Sequence, residues 1–372
     1  MKQDWKFGVL DDAVDRGSSN ISLNKIKDDD GEFPVFGAKG FIQNASFYQQ
    51  ENQYLAIIKD GAGIGRVSTH PEKSSVLATM QYILPKQSYD IKFLYYFLNS
   101  IDFNKYRTGS TIPHIYYKNY KLEPFPLVSK EEQKQIVVKL DRCFEAIDKA
   151  RANAAKNLEN AKELFQSKLN EIFSQKGEGW VEKKLGEISD VTYGFTDKSV
   201  EVGDFRYVRI TDIDNNGELI STGKKYISSS KDGKKFILKD NDILMARTGA
   251  TFAKLLLYKD IEPSIFASYL IKIDFTESID NEFYWFYAKS NSYWDQANTL
   301  STGSAQPHFN GKALKQVLFP YPVSKTEQSR LINEFKRFQS KTQSLESKYQ
   351  QELNSLEELK KSILQKAFEG EL

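Results

Sequence analysis

Two short runs set a cation beside glycines in a way suited to gripping an anion. Lys59 stands two residues ahead of Gly61 in a GAG run, and Arg247 stands two residues ahead of Gly249 in a GAT run. Arg66 and Arg107 in the first half, and Arg209, Lys224, Lys225 and Lys254 in the second, also lie near glycines or at the ends of β-rich runs. Such a side chain can reach a phosphate or a base edge, and an arginine suits bidentate contact with guanine. The stretches TGSTIPHI from Thr108 and TGSAQPHF from Thr302 add hydroxyls at Thr108, Ser110, Thr302 and Ser304. These are candidates for touching a nucleic-acid backbone.

Other chemistries lack their parts. Gly61, Gly63 and Gly65 follow a strand-like run, but the third glycine of GxGxxG is misplaced and the following RVSTHPEK does not open a helix. No GxxxxGK[ST] loop and no [NDS]PP[YF] motif occurs. A lone cysteine, Cys143, and three scattered histidines, His70, His114 and His308, offer neither a disulfide framework nor a zinc cluster. His114 and His308 have no repeated nucleophile and carboxylate beside them, so no catalytic residue, metal or cofactor is expected on this chain. Glu346-Ser347-Lys348 has the spacing of a nuclease ExK but sits in a helical stretch without a companion carboxylate.

The 372 residues carry 52 Lys+Arg against 50 Asp+Glu, a net charge of +2, which excludes a bulk polycation while leaving room for locally basic faces. No run reaches the ~18 apolar residues of a membrane span. The opening stretch holds Asp11, Asp12 and Asp15 where a secretory signal needs apolar residues. A soluble protein of a reducing cytoplasm is expected.

The elements that position these loops come in pairs. SKEEQKQIV from Ser129 matches SKTEQSRLI from Ser324, an offset of 195 that persists through Leu164 and Leu359, Leu169 and Leu364, and Phe173 and Phe368. FLYYFLNS from Phe93 matches FYWFYAKS from Phe283, and KFGVL from Lys6 is matched with KLGEI from Lys184. The offset is smaller toward the front, so insertions gather in the front of the second copy. A duplicated chain is the reading: a variable globular block followed by a fixed-length helical arm, twice.

Each arm begins with a capping box, Ser129 with Glu132 and Ser324 with Glu327. A heptad seam then runs Val137, Leu140, Phe144, Ile147, Arg151, Ala154, Leu158, Ala161, Phe165 and, in the second arm, Ile332, Phe335, Gln339, Thr342, Glu346, Tyr349, Leu353, Leu356. Leu331, Phe338, Leu345 and Leu359 are expected to remain exposed for helices of another subunit. The expected fold class is α+β: two mixed α/β blocks, 1–128 and 176–323, joined by two long antiparallel coiled-coil helices, 129–175 and 324–372, with pseudo-two-fold equivalence. Antiparallel arms of equal length predict blocks at opposite ends of a dumbbell.

This order of features resembles the specificity subunit of type I restriction-modification systems. The resemblance covers essentially the whole chain and rests on Trp5 and Trp180 at the block openings, Glu132-Gln133 and Glu327-Gln328 at the helix starts, the TGS turns, and the closing KSILQKAFEGEL. Phe7-Gly8-Val9-Leu10 departs from the LGEI found at Leu185 to Ile188. The resemblance implies that each block is a target-recognition domain for one half of a bipartite site on double-stranded DNA. It also implies helices that set the spacer and dock two methyltransferase subunits, with restriction subunits joining outside. Leu140, Phe144, Ile147, Leu158 and Phe165 on the first helix, and Leu331, Phe335, Phe338, Leu353 and Leu356 on the second, are the docking candidates. S-adenosylmethionine is expected in the methyltransferase partner. A coiled-coil scaffold whose blocks bind protein is the alternative.

Overall fold

The heptad stretches fold as two single helices, Lys130–Gln175 and Lys325–Phe368, each roughly 65–70 Å long at 1.5 Å per residue. In this computed structural model residues 5–228, 233–260, 262–303 and 308–371 are described. At both helix starts the serine half of the capping box is made: Glu132 N donates to Ser129 Oγ at 3.2 Å and Glu327 N to Ser324 Oγ at 3.4 Å. The carboxylates are engaged elsewhere, correcting the reciprocal box. Glu132 accepts the Trp5 indole N–H at 2.8 Å, and Glu327 pairs with Arg330 at 2.8 Å.

Two compact units divide the chain. The first comprises Met1–Ala155 with Gln350–Leu372, and the second Lys156–Tyr349. Each unit therefore holds one block, part of the helix that leaves it, and part of the other long helix.

Within the first unit, Lys6–Val9 pairs with Pro124–Leu127 and closes the block beside the helix start. A four-stranded antiparallel sheet runs Val14–Ser18, Met80–Pro85, Tyr54–Ile58, Val67–His70. A three-stranded sheet sets Phe33–Gly37 antiparallel to Gly40–Ala45 and parallel to Ser75–Val76. The second unit repeats this strand for strand. Trp180–Lys184 pairs with Leu318–Pro322, the four-stranded order is Ser189–Tyr193, Leu270–Phe275, Ile243–Ala246, Leu255–Leu257, and Phe205–Val208 lies between Tyr226–Ile227 and, in parallel, Ser264–Phe266. Tyr54–Ile58 and Ile243–Ala246 are buried throughout because both faces of these central strands are covered.

The equivalence corrects one alignment. Leu10–Ala13 and Leu185–Ile188 are the matching one-turn helices, each with its third residue bonding back: Val9 N donates to Asp12 Oδ2 and Lys184 N to Glu187 Oε2. Leu10-Asp11-Asp12-Ala13 is thus the counterpart of LGEI, and KFGV is the preceding strand. Trp5 and Trp180 then fall in register, whereas matching Lys6 to Lys184 by letters slips the frame.

One connection differs greatly. Ala38 and Lys39 form a tight turn between Phe33–Gly37 and Gly40–Ala45, whereas Arg209 to Lys225 fill the same place in the second unit. Buried Arg206 holds that insertion from beneath, bonding Asp260 at 3.1 Å and the carbonyl of Ile220. The indole of Trp285 bonds the carbonyl of Gly217 at 3.1 Å.

The helices bury their seams within each unit. In the first, Leu140, Phe144 and Ile147 pack with Leu364, Ala367 and Phe368 against the aromatic helix Ile91–Ser100. Phe368 stands 5.2 Å from Phe93 and 5.3 Å from Phe97, ring to ring. Asp148 faces Lys360 and Arg151 faces Glu357, so the two helices run antiparallel here. Arg151 is consequently an exposed flank residue rather than a seam residue. In the second unit Phe335 contacts Phe173, Phe283 and Phe286. No helix among the described residues is long and apolar enough to cross a membrane.

Candidate nucleic-acid interface

In the first unit the strand Tyr54–Ile58 ends at Lys59, and the segment after Thr108 folds back onto it. Ile115 N donates to Lys59 O at 2.9 Å, Gly61 N to Pro113 O at 2.9 Å, and His114 exchanges backbone bonds with Thr108. His114 Nδ1 lies 2.7 Å from Asp60 Oδ1. Gly61 and Gly109 take positive φ, +95° and +81°, which explains a glycine at each of these turns. Lys59, Thr108 and Ser110 are therefore brought to one loop pair. Arg107 adjoins it, exposed and making no ion pair among the described residues. Arg66 lies on the returning arm of the same hairpin, exposed, with Nη1 3.4 Å from the Ala38 carbonyl.

The second unit builds the same frame. Phe309 N donates to Arg247 O at 2.8 Å, and His308 exchanges backbone bonds with Thr302 and bridges Thr248. Gly249 and Gly303 have φ of +77° and +91°. Arg247 and Thr302 are brought together as Lys59 and Thr108 are. Ser304 lies outside the described residues. Lys254 closes the Arg247 hairpin, and its Nζ bonds Asn215 Oδ1 at 3.2 Å.

Three candidates do not join the loops. Arg209 is forked onto buried Asp212, Nε to Oδ2 at 3.1 Å and Nη2 to Oδ1 at 2.7 Å, a pairing that raises its pKa. Lys225 is paired with Glu201, and Lys224 with Glu262 at 2.6 Å. Arg209 thus braces the insertion from within, while Glu201 and Glu262, from outside it, hold Lys225 and Lys224.

Arg247 is held differently. Its guanidinium carbon lies 5.4 Å from the Tyr193 ring and 5.6 Å from the Tyr269 ring, and it makes no ion pair among the described residues. Both rings are well exposed. The Tyr193 hydroxyl accepts from Gly311 N at 2.8 Å, which ties the ring to the segment following His308. A further cation that sequence reasoning missed is Lys289, with Nζ 3.3 Å from the centroid of Trp285. Burial pushes its pKa down to about 8.

The helical candidates separate by burial. Leu140, Phe144, Ile147, Leu331 and Phe335 lie in the cores of their own units, so they are internal seam residues and not surface offered to a partner. Leu331 was expected to remain exposed; the aromatic helix Asn281–Tyr287 and its neighbours cover it. Leu158, Phe165, Phe338, Leu353 and Leu356 are half-buried. Val138, Leu164 and Leu359 are the large apolar residues of the two long helices that stand exposed among those described.

A family model for the type I restriction modification DNA specificity domain matches residues 2–157 and 177–355. The type I restriction enzyme StySPI specificity subunit of Salmonella potsdam is 23% identical, covering 91% of this chain and 78% of its own length. The MjaVIII specificity subunit of Methanocaldococcus jannaschii is 26% identical, over 89% and 81%. Among solved structures, a chain of a type I R-M system studied for complex assembly and conformational transition superposes with a TM-score of 0.78 at 17% identity, over 99% and 98% of the two chains. The HsdS subunit from Thermoanaerobacter tengcongensis gives 0.61 at 17% identity, over 99% and 97%.

Proposed function

The chain belongs to the type I restriction-modification DNA specificity family, and from that premise we propose that its two units read the two halves of a bipartite, asymmetric DNA target. It is a DNA sequence-specificity subunit. The observation that carries the bipartite reading is the recurrence of one loop frame, Lys59 with Thr108 and Arg247 with Thr302, in two units of a single chain. Two similar readers with different surroundings suit two short sequences separated by unspecified bases.

The long helices fix the spacer and present Val138, Leu164 and Leu359 to methyltransferase subunits, two per chain, with restriction subunits joining that assembly. Base modification and cleavage belong to those partners, S-adenosylmethionine to the methyltransferase, and the working compartment is the cytoplasm. Family membership disfavours the protein-binding scaffold.

The test is to co-express the chain with its methyltransferase and sequence the methylome. The expected result is two constant half-sites at one fixed spacing. A single uninterrupted motif would overturn the bipartite reading.

A further inference from the structure

We propose that the two loop pairs are anchors for the DNA phosphate backbone, indifferent to sequence, with Lys59 and Arg247 as their cations. This rests on the DNA-reading function above and divides its labour: the shared loops hold the duplex, and the connections that differ between the units read it.

Four observations support the assignment. The backbone frame is the same in both units, down to the bond from Ile115 or Phe309 into the carbonyl of the cation. Gly61 and Gly249 are left-handed, and a Cβ built on either meets nothing within 4 Å, so open space lies where another backbone could approach closely. The cations are not consumed internally. Arg247 lies against Tyr193 and Tyr269 and makes no ion pair among the described residues, and Lys59 makes a 3.6 Å pair with adjacent Asp60 that remains about one-third exposed on both sides. In contrast, Arg209 is forked onto Asp212, whose carboxylate is buried.

The fourth observation is the Lys-for-Arg exchange at an otherwise equivalent position. The planar arginine fork and the compact lysine ammonium are not interchangeable where the geometry of two parallel bonds matters, whereas a phosphate accepts either cation as a charge. A feature kept in two units that differ elsewhere is suited to contacting what every DNA offers, its phosphates. The tyrosine pair would preset the Arg247 side chain and so reduce the entropy lost on contact.

The experiment uses the assembled complex of this chain with its methyltransferase subunits. Affinity for a cognate and a scrambled duplex is measured across a salt series for wild type, Lys59→Ala, Arg247→Ala and Arg247→Lys, and each variant's methylome is sequenced. Each alanine variant is expected to weaken both duplexes about equally, by roughly tenfold, and to reduce the log Kd against log salt slope by about one. Arg247→Lys should keep most of the affinity, and the methylated sequence should not change. A relaxed half-site, or loss confined to the cognate duplex, would overturn the proposal in favour of base reading, and unchanged affinity on both would remove the loops from the interface. Failure of the DNA-reading function itself would show separately, as a wild-type complex that does not prefer its cognate duplex.

Discussion

The backbone amide of Asp280 donates to the side-chain oxygen of Gln328 across 2.8 Å, joining the start of the aromatic helix Asn281–Tyr287 to the start of the second long helix. The amide nitrogen of Gln328 in turn bonds the carbonyls of Ser278 and Pro322 at 3.1 and 2.9 Å. Asp90, Ser88, Val128 and Gln133 repeat the arrangement in the first unit. Both glutamines are fully buried. Gln328→Leu strands one donor and two acceptors, and chemical denaturation should show a loss of about 1–3 kcal/mol per unit for this variant and for Gln133→Leu. Unchanged midpoints would mean that water replaces the glutamine at no cost.

Acid should weaken the first unit through His70. Its ring is stacked on Tyr54 at 5.2 Å, its Nε2 lies 2.7 Å from Ser68 Oγ, and burial pushes its pKa down to about 4 from 6.5. Between those values the unfolded chain binds a proton that the folded one refuses, so stability falls as pH drops from about 6.5 to 4 and is indifferent above that window. His70→Phe should remove this slope, a difference on the order of 3 kcal/mol at pH 4. Parallel stability curves for the two proteins would refute it.

Burial separates two apolar positions of the second long helix. Phe335→Ala, within the ring cluster of Phe173, Phe283 and Phe286, should cost about 3–5 kcal/mol in unfolding free energy. Leu359→Ala, exposed, should cost under about 0.5 kcal/mol while weakening recovery of the methyltransferase in co-purification. Full recovery of the methyltransferase would exclude this helix face from docking.

Excising one heptad from each long helix shortens it by about 10 Å. Methylome sequencing should then show a changed spacer, by roughly three base pairs, with both half-sites intact. A retained spacer would disprove the ruler role.

The long helices, their starts and the duplication were legible because heptad spacing, Ser-x-x-Glu and a constant 195-residue offset are local or self-referential signals. The parallel pairing of Phe33–Gly37 with Ser75–Val76 was not, since a crossover leaves no mark at either strand. Letter matching misplaced KFGV because the shared feature is a helical turn with a back-bonding carboxylate, which Asp12 and Glu187 satisfy with different residues. Among candidate contacts, Lys59 and Arg247 were marked by their glycines. The neutralisation of Lys225 by Glu201 depends on a fold that joins distant stretches, and the Tyr193–Arg247–Tyr269 stack draws on three separate strand ends.

The first unit's core includes Leu364, Ala367 and Phe368, whereas the second unit is one continuous stretch of chain. Biosynthesis therefore inverts the expected order of folding. The block made first waits for the last helical turns to leave the ribosome, a delay on the order of tens of seconds at roughly 5–20 residues per second, while the block made second already has everything it needs. A nascent chain halted before Phe368 exposes Phe93 and Phe97, and these rings are what a chaperone would meet.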